Sequence, residues 1–227
     1  MTSIHGLGRG LARLGALAWL EKRTDTRWAH WLRSLFAIYD IDQLVALDVP
    51  WWTYRAIDQV DAFLGSRPGA KVFEFGSGAS TVWLAKRAAS VISIEHDADW
   101  YPIVAERATG LGNVDLRLIT IDQIPAQDPV YLSQKEGQVG HSFQKYAEAI
   151  DATNEQFDLV VIDGRVRAAC LRHARPHLAE GGLIVFDNSR RNRYDQAIKS
   201  SGMNELAYPG LTPSLPYPDK TTLLQEP

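Results

Sequence analysis

Two glycines and two carboxylates in this chain stand at spacings suited to holding a charged small molecule. The segment Val72-Phe-Glu-Phe-Gly-Ser-Gly-Ala-Ser-Thr81 runs from an apolar stretch through a tight glycine turn into a helical pattern. Gly76 and Gly78 let the backbone approach a ligand that a Cβ would obstruct, and Ser77 and Ser80 flank them with hydroxyls. Free amides where the helix begins favour a polar or anionic group. Glu95 closes the next apolar run, Val91-Ile-Ser-Ile-Glu95, 21 positions after Glu74. A carboxylate at that place can accept both hydroxyls of a ribose. Together these features indicate a nucleoside-containing cofactor.

A second set of acids follows. Asp163 comes directly after the apolar run Leu159–Ile162, and Asp187-Asn188 directly after Leu183–Phe186. Two carboxylates and an amide oxygen are hard ligands that suit Mg²⁺, and a metal there would lower the pKa of an acceptor hydroxyl. In the competing reading, Asp163 orients cofactor or acceptor by hydrogen bonds while Asp187-Asn188 caps a turn. Arg165, Arg167, Arg190, Arg191 and Arg193 gather nearby. They favour an anionic acceptor if they face the site and are plain solvated charges if they do not. His141 and Tyr146 sit on or beside the long irregular stretch 125–142, where a lid would lie, and His141 is a candidate base.

The elements that would position these residues follow from periodicity. Lys71–Phe75, Val91–Glu95, Val114–Ile119, Leu159–Ile162 and Leu183–Phe186 are expected strands. The unbroken apolar runs mark central parallel strands, and the alternation in Val114–Ile119 marks an edge. Helices are expected at Ser80–Ala89, at Asp97–Thr109, along the stripe from Val166 to Leu178, where Gly181-Gly182 ends the helix, and at Asn192–Ser201. Glu205–Tyr208 and Thr221–Leu224 are expected to pair antiparallel around the proline-rich segment Pro209–Pro218. The fold class is therefore α/β: a doubly wound, mostly parallel seven-stranded sheet with an antiparallel C-terminal hairpin. An N-terminal helical segment, residues 1–66, precedes the 67–227 domain and packs on or caps it. Asp48 and Pro50 mark a helix start in that segment, which also holds Trp19, Trp28, Trp31, Trp51 and Trp52.

The cofactor can be narrowed. The third small residue of a dinucleotide fingerprint is replaced by Thr81, and the Gly-Lys-Ser/Thr ending of a phosphate loop is absent. Glu74, two residues before the first glycine, suits the cationic amino group and sulfonium of S-adenosylmethionine better than a pyrophosphate. Glu74-Phe-Gly-Ser-Gly, Glu95, Asp163 and the late antiparallel pair resemble the class I S-adenosylmethionine-dependent methyltransferases over about residues 66–227. The resemblance implies that Glu74, Gly76, Ser77, Gly78 and Ser80 surround the methionine part, that Glu95 binds ribose, that His96 lies beside adenine and that Asp163 borders the cofactor. Asp163 with Asp187-Asn188 is similar in part to the metal-dependent catechol-type and caffeoyl-CoA-type O-methyltransferases. The lysine base of the catechol type is replaced by Val166. The resemblance implies methyl transfer to a small acceptor at oxygen, and the nearby arginines suit an anionic one. A nicotinamide-dependent oxidoreductase and a non-catalytic cofactor-binding module are the alternatives.

Composition bounds the rest. With 45% hydrophobic and 22% charged residues, the chain is an ordinary globular one. A net charge of −3 argues against nucleic acid as a partner. The single Cys170 rules out an internal disulfide and a cysteine-based zinc site, and fits a cytoplasmic setting. The run Leu11–Leu20, interrupted by Arg13, reads as an amphipathic helix rather than a signal peptide or a transmembrane span. Homo-oligomer formation is left open by the sequence.

Overall fold

A computed structural model of the chain describes residues 19, 20, 23, 26–37 and 40–227. Most of the expected Leu11–Leu20 helix lies outside those residues. Among them the helices are α1 (Arg27–Ser34), α2 (Ile41–Ala46), α3 (Tyr54–Gly65), α4 (Ala79–Ala85), α5 (Tyr101–Ala108), α6 (Gln144–Ala147), α7 (Arg167–Ala174) and α8 (Asp195–Ser200). The strands are β1 (Lys71–Phe75), β2 (Ser90–Glu95), β3 (Val114–Leu118), β4 (Phe157–Ile162), β5 (Leu178–Phe186), β6 (Asn204–Gly210) and β7 (Asp219–Gln225). They form one seven-stranded sheet in the order β3-β2-β1-β4-β5-β7-β6. The first five strands pair parallel, and β7 pairs antiparallel with both β5 and β6. The alternating strand β3 is the edge, as its pattern requires.

The apolar runs divide cleanly between the two faces because side chains alternate along a strand. Phe73, Phe75, Val160, Ile162, Ile184 and Phe186 join α6, α7 and α8 in one buried cluster. Val72, Leu159, Val161, Leu183 and Val185 join α3 and α4 in the other. In α3, the positions Tyr54, Ile57, Val60 and Leu64 recur at helical spacing and are all buried against the sheet. Trp52 is fully buried on the same face, edge-on to Trp83 at a centroid distance of 5.7 Å. Cys170 is buried in α7, where burial pushes its thiol above the ordinary range. No helix among the described residues is long and apolar enough to cross a membrane.

Two expected boundaries are corrected. Asp48 and Pro50 do not start a helix. Asp48 takes a left-handed conformation (φ 53°) and pairs with Lys86 and Arg87 at 2.8 and 2.7 Å. α3 begins instead after Thr53, whose amide donates to Thr221 Oγ1 at 3.0 Å and whose hydroxyl donates to Tyr208 O at 3.0 Å. Nor do Gly181-Gly182 end α7, which gives way to a 3₁₀ turn around Pro176. The two glycines lie inside β5, where Phe157 faces Leu178 but Leu159 faces Leu183. The extra residues bulge out through Gly181 (φ 63°), and Arg67 Nη2 clamps them by donating to Gly181 O at 2.6 Å.

Candidate active site

The parallel strands end along one edge, so the turns after β1, β2, β4 and β5 meet there. After β1 the chain turns at Gly76 (φ 97°). A Cβ at Gly76 would come within 2.8 Å of Gly164 Cα and N, so its glycine requirement arises from the neighbouring turn after β4. A Cβ at Gly78 would meet nothing within 4 Å. Gly78 is thus the position that faces open space, while Gly76 packs backbone on backbone.

Glu74 has a different place from the one implied above. It is wholly buried beneath the loop. Its carboxylate accepts from Ser80 Oγ at 2.5 Å, Thr81 Oγ1 at 2.6 Å and Ser93 Oγ at 2.5 Å. Burial raises its pKa to about 7 against the pull of those three hydroxyls. Glu74 and Ser80 therefore shape the loop from behind. Ser93 is directly opposite Glu74 in the β1–β2 register. A serine inside the apolar run Val-Ile-Ser-Ile was the available signal for that partner.

Glu95 stands at the mouth of the glycine turn. One oxygen accepts from the Ser77 amide at 3.1 Å and the Ser77 hydroxyl at 2.7 Å. The other accepts from the amides of His96 and Asp97 at 2.7 and 2.9 Å. Burial opposes ionisation, but the contacts to His96, Asp97 and Ser77 prevail and hold Glu95 below the usual carboxylate range. His96 Nδ1 lies 2.7 Å from Glu95 Oε1, while its Nε2 is buried without a partner. The His96 ring lies 5.7 Å from Phe143 and 6.0 Å from Tyr146 between centroids. Trp100 Nε1 donates to Ser77 O at 3.0 Å and so fixes the loop from its other side.

Tyr146 is wholly buried, and its hydroxyl has no partner. Burial raises that hydroxyl well above its ordinary pKa, so it is neutral near pH 7. A Cβ at Gly164 would overlap the Tyr146 hydroxyl. Arg165 Nε is likewise buried without a partner. Orphaned polar atoms on His96 and Tyr146, the latter against Gly164 and so next to the Gly76 turn, fit a polar nucleoside cofactor, since buried donors and acceptors left unmatched are costly.

The acids after β4 and β5 are brought together, but not around a metal. Arg167 Nη2 donates to Asp163 Oδ1 at 2.8 Å, and Nη1 donates to the Asp187 carbonyl and lies 4.0 Å from Asp187 Oδ2. Asp187 Oδ1 also accepts from Thr221 Oγ1 at 2.6 Å. Burial raises both carboxyls, Asp187 the more strongly, while Arg167 opposes the rise. Asn188 turns away in a left-handed conformation (φ 48°), its amide donating to Asp219 Oδ2 at 2.8 Å. Among the described residues no group of three or more His, Cys, Asp or Glu is placed to hold a metal ion. The expected Asp163, Asp187 and Asn188 ligand set is therefore replaced by a buried guanidinium. A divalent cation beside it would add repulsion in a poorly screened site. Val166, at φ 40°, makes the left-handed turn that precedes Arg167 in the chain. The Asp163-to-Arg167 spacing of one helical turn was the signal for this pair.

Beyond Gly164 lies a cavity of about 870 Å³ between α7, α8 and the 125–142 insertion. Its lining includes Lys135, Arg165, Arg167, Arg172, Arg191 and Arg193, and no Asp or Glu. His141 is exposed and is not part of that lining.

Comparisons with known proteins agree with this layout. A family model described as a methyltransferase domain matches residues 73–189, over half of the chain. The sequence has no significant match among curated proteins. Among solved structures, the chain is similar to an rRNA methylase from Streptococcus thermophilus at 14% identity, with TM-score 0.51, covering 75% of this chain and 95% of that one. It is also similar to a putative methyltransferase from Streptococcus mutans in complex with S-adenosylhomocysteine (12% identity, TM-score 0.50, 74% and 96% covered). A precorrin-8w decarboxylase from Methanobacterium thermoautotrophicum shares the fold at 15% identity, TM-score 0.50, with 76% and 90% covered. With the glycine turn, the acid after β2 and the antiparallel last strands in place, the chain belongs to the methyltransferase domain family, and is a Rossmann-like S-adenosylmethionine-dependent methyltransferase.

Proposed function

We propose that this enzyme methylates a small anionic acceptor at an oxygen atom. The carrying observation is the cavity of about 870 Å³ beside Gly164, which is lined by several cations and by no carboxylate. Such a lining repels an ammonium-type acceptor and favours the ionised form of a hydroxyl or acid. The cofactor, when bound, supplies an already activated sulfonium methyl, so the protein's task is mainly to position the acceptor.

Glu95 exchanges its Ser77 donors for ribose hydroxyls, and His96 flanks the base. Gly76, Ser77 and Gly78 form the turn against the methionine part, with Glu74 and Ser80 bracing it from below. Asp163, held by Arg167, borders the donor and the acceptor. Tyr146, neutral near pH 7, offers its unpartnered hydroxyl as a hydrogen-bond donor. The cations take over part of the role of a base by lowering the acceptor's pKa. His141 carries no step in this reading, because it is exposed away from the cavity lining. A small acceptor is favoured over RNA by the chain's net charge of −3.

The test is transfer of labelled methyl from S-adenosylmethionine to a panel of hydroxylated acids, phosphate esters and amines, with the methylated atom located by mass spectrometry. Product methylated at oxygen on an anionic member is expected. Product methylated only at nitrogen would overturn the oxygen assignment. Tight NAD(P) binding without S-adenosylhomocysteine binding would overturn the donor assignment.

A further inference from the structure

We infer that Lys135, Arg165 and Arg191 form an anion subsite that holds a phosphoryl group carried by the acceptor. The inference rests on the methyl-transfer reading above and goes beyond it by naming the recognised group.

The cavity's basic residues divide into two kinds. Arg167 is neutralised by Asp163 and Asp187, Arg172 by Asp128 at 3.0 Å, and Arg175 by Glu226 at 2.7 Å. Arg193 donates to Tyr194 Oη at 3.1 Å and lies over its ring. Lys135, Arg165 and Arg191 make no side-chain hydrogen bond or ion pair in the described structure, and Arg165 Nε is buried without a partner. The three come from separate segments: the 125–142 insertion, the turn after β4 and the loop after β5. They line one space. Burial depresses the Lys135 ammonium first, Arg165 and Arg191 depress it further, and Asp97 opposes them.

Like charges that share a cavity repel; Glu95 and Asp97 offset Arg165 only from outside that cavity, whose lining holds no carboxylate, so the arrangement favours an anion. Three donor groups, carried by three separate segments that line one cavity, suit a tetrahedral group with three terminal oxygens. A carboxylate has two oxygens and would leave one cation unmatched. The neighbouring wall, with Val130, Leu132, Val166 and Leu171, is apolar enough to take a carbon skeleton. The chain as a whole is acidic, at −3, so this basic cluster is a local feature and not a general surface property.

The probe is phenyl phosphate, titrated calorimetrically into the full chain with S-adenosylhomocysteine present. Citrate, benzoate and short single-stranded RNAs of increasing length are titrated in parallel. Saturable one-to-one binding of phenyl phosphate is expected, stronger than that of benzoate or citrate. Lys135→Gln and Arg191→Gln should each weaken it about tenfold, the loss of one charged hydrogen bond. Arg165→Gln should weaken it at least as much. Arg172→Gln, whose cation is already paired, should change it less than about twofold. Lys135 and Arg191 are exposed, so their variants keep the test decisive even if Arg165→Gln fails to fold. If the wild-type chain does not bind S-adenosylhomocysteine, the methyl-transfer reading falls. If it does, but phenyl phosphate fails to saturate or binds the Lys135 and Arg191 variants unchanged, the subsite alone is overturned. Tighter binding of citrate overturns the phosphoryl assignment. RNA affinity that rises with length overturns the assignment to a small phosphate ester.

Discussion

The Ser77 amide and hydroxyl both donate to a single oxygen of Glu95, at 3.1 and 2.7 Å. This ties the glycine turn after β1 to the tip of β2 and keeps a charged carboxylate at the turn's mouth. Glu95→Ala should therefore weaken S-adenosylhomocysteine binding by about 1–3 kcal/mol, the range for a hydrogen bond to a charged group. Isothermal titration is the check, and unchanged affinity would remove Glu95 from the cofactor site.

Glu74 offers a pH test of the turn's foundation. Its folded pKa of about 7 lies above the ordinary 4.5, so its contribution to stability is complete below pH 4.5 and lost as the pH rises through about 7. Glu74→Gln carries no charge to ionise. Its stability relative to wild type should climb between pH 5 and pH 8 by on the order of 3 kcal/mol at most. Urea midpoints across that range measure the difference, and a flat difference contradicts the assignment.

The buried Arg167 is the cation shared by Asp163 and Asp187. Arg167→Gln should cost roughly 3–5 kcal/mol at neutral pH, because two desolvated carboxylates lose their cation. The penalty should shrink in acid as those groups protonate. Denaturant melts at two pH values test both statements.

Methyl transfer should proceed undiminished in EDTA, since Arg167 already bridges the two acids proposed from sequence as metal ligands. Loss of activity on chelation, restored by Mg²⁺, would restore the metal-assisted reading.

Gly164 and Tyr146 provide a packing test. Gly164→Ala places a methyl group on the Tyr146 hydroxyl and should destabilise by about 1–3 kcal/mol. Adding Tyr146→Phe removes the overlapping oxygen and should recover part of that loss. A double-mutant cycle with coupling below about 0.5 kcal/mol would show that the two do not meet.

Much of this layout was legible from residue order. The runs at Leu159–Ile162 and Leu183–Phe186 are covered on both faces, so they contain no polar interruption. The wet alternation of Val114–Leu118 announced the edge strand. Glu95 was legible because its position depends on local spacing alone. Glu74 was assigned to the pocket because spacing tells where a backbone lies and not which way a carboxylate points. Its direction is set by Ser93, 19 residues away on the neighbouring strand. Arg167 was hidden for the same reason. Its burial depends on the meeting of β4 and β5, and arginines in loops look alike in sequence whether solvated or enclosed. The start of α3 depends on Thr221 and Tyr208, over 150 residues downstream, which no local signal reports.

The guanidinium between the tips of β4 and β5 has a consequence for how this end of the enzyme is controlled. An ion can be stripped, swapped or starved, whereas Arg167 is covalently part of the chain and arrives with it. The clasp between the two strand tips is thus inherited with the polypeptide and present as soon as the chain folds.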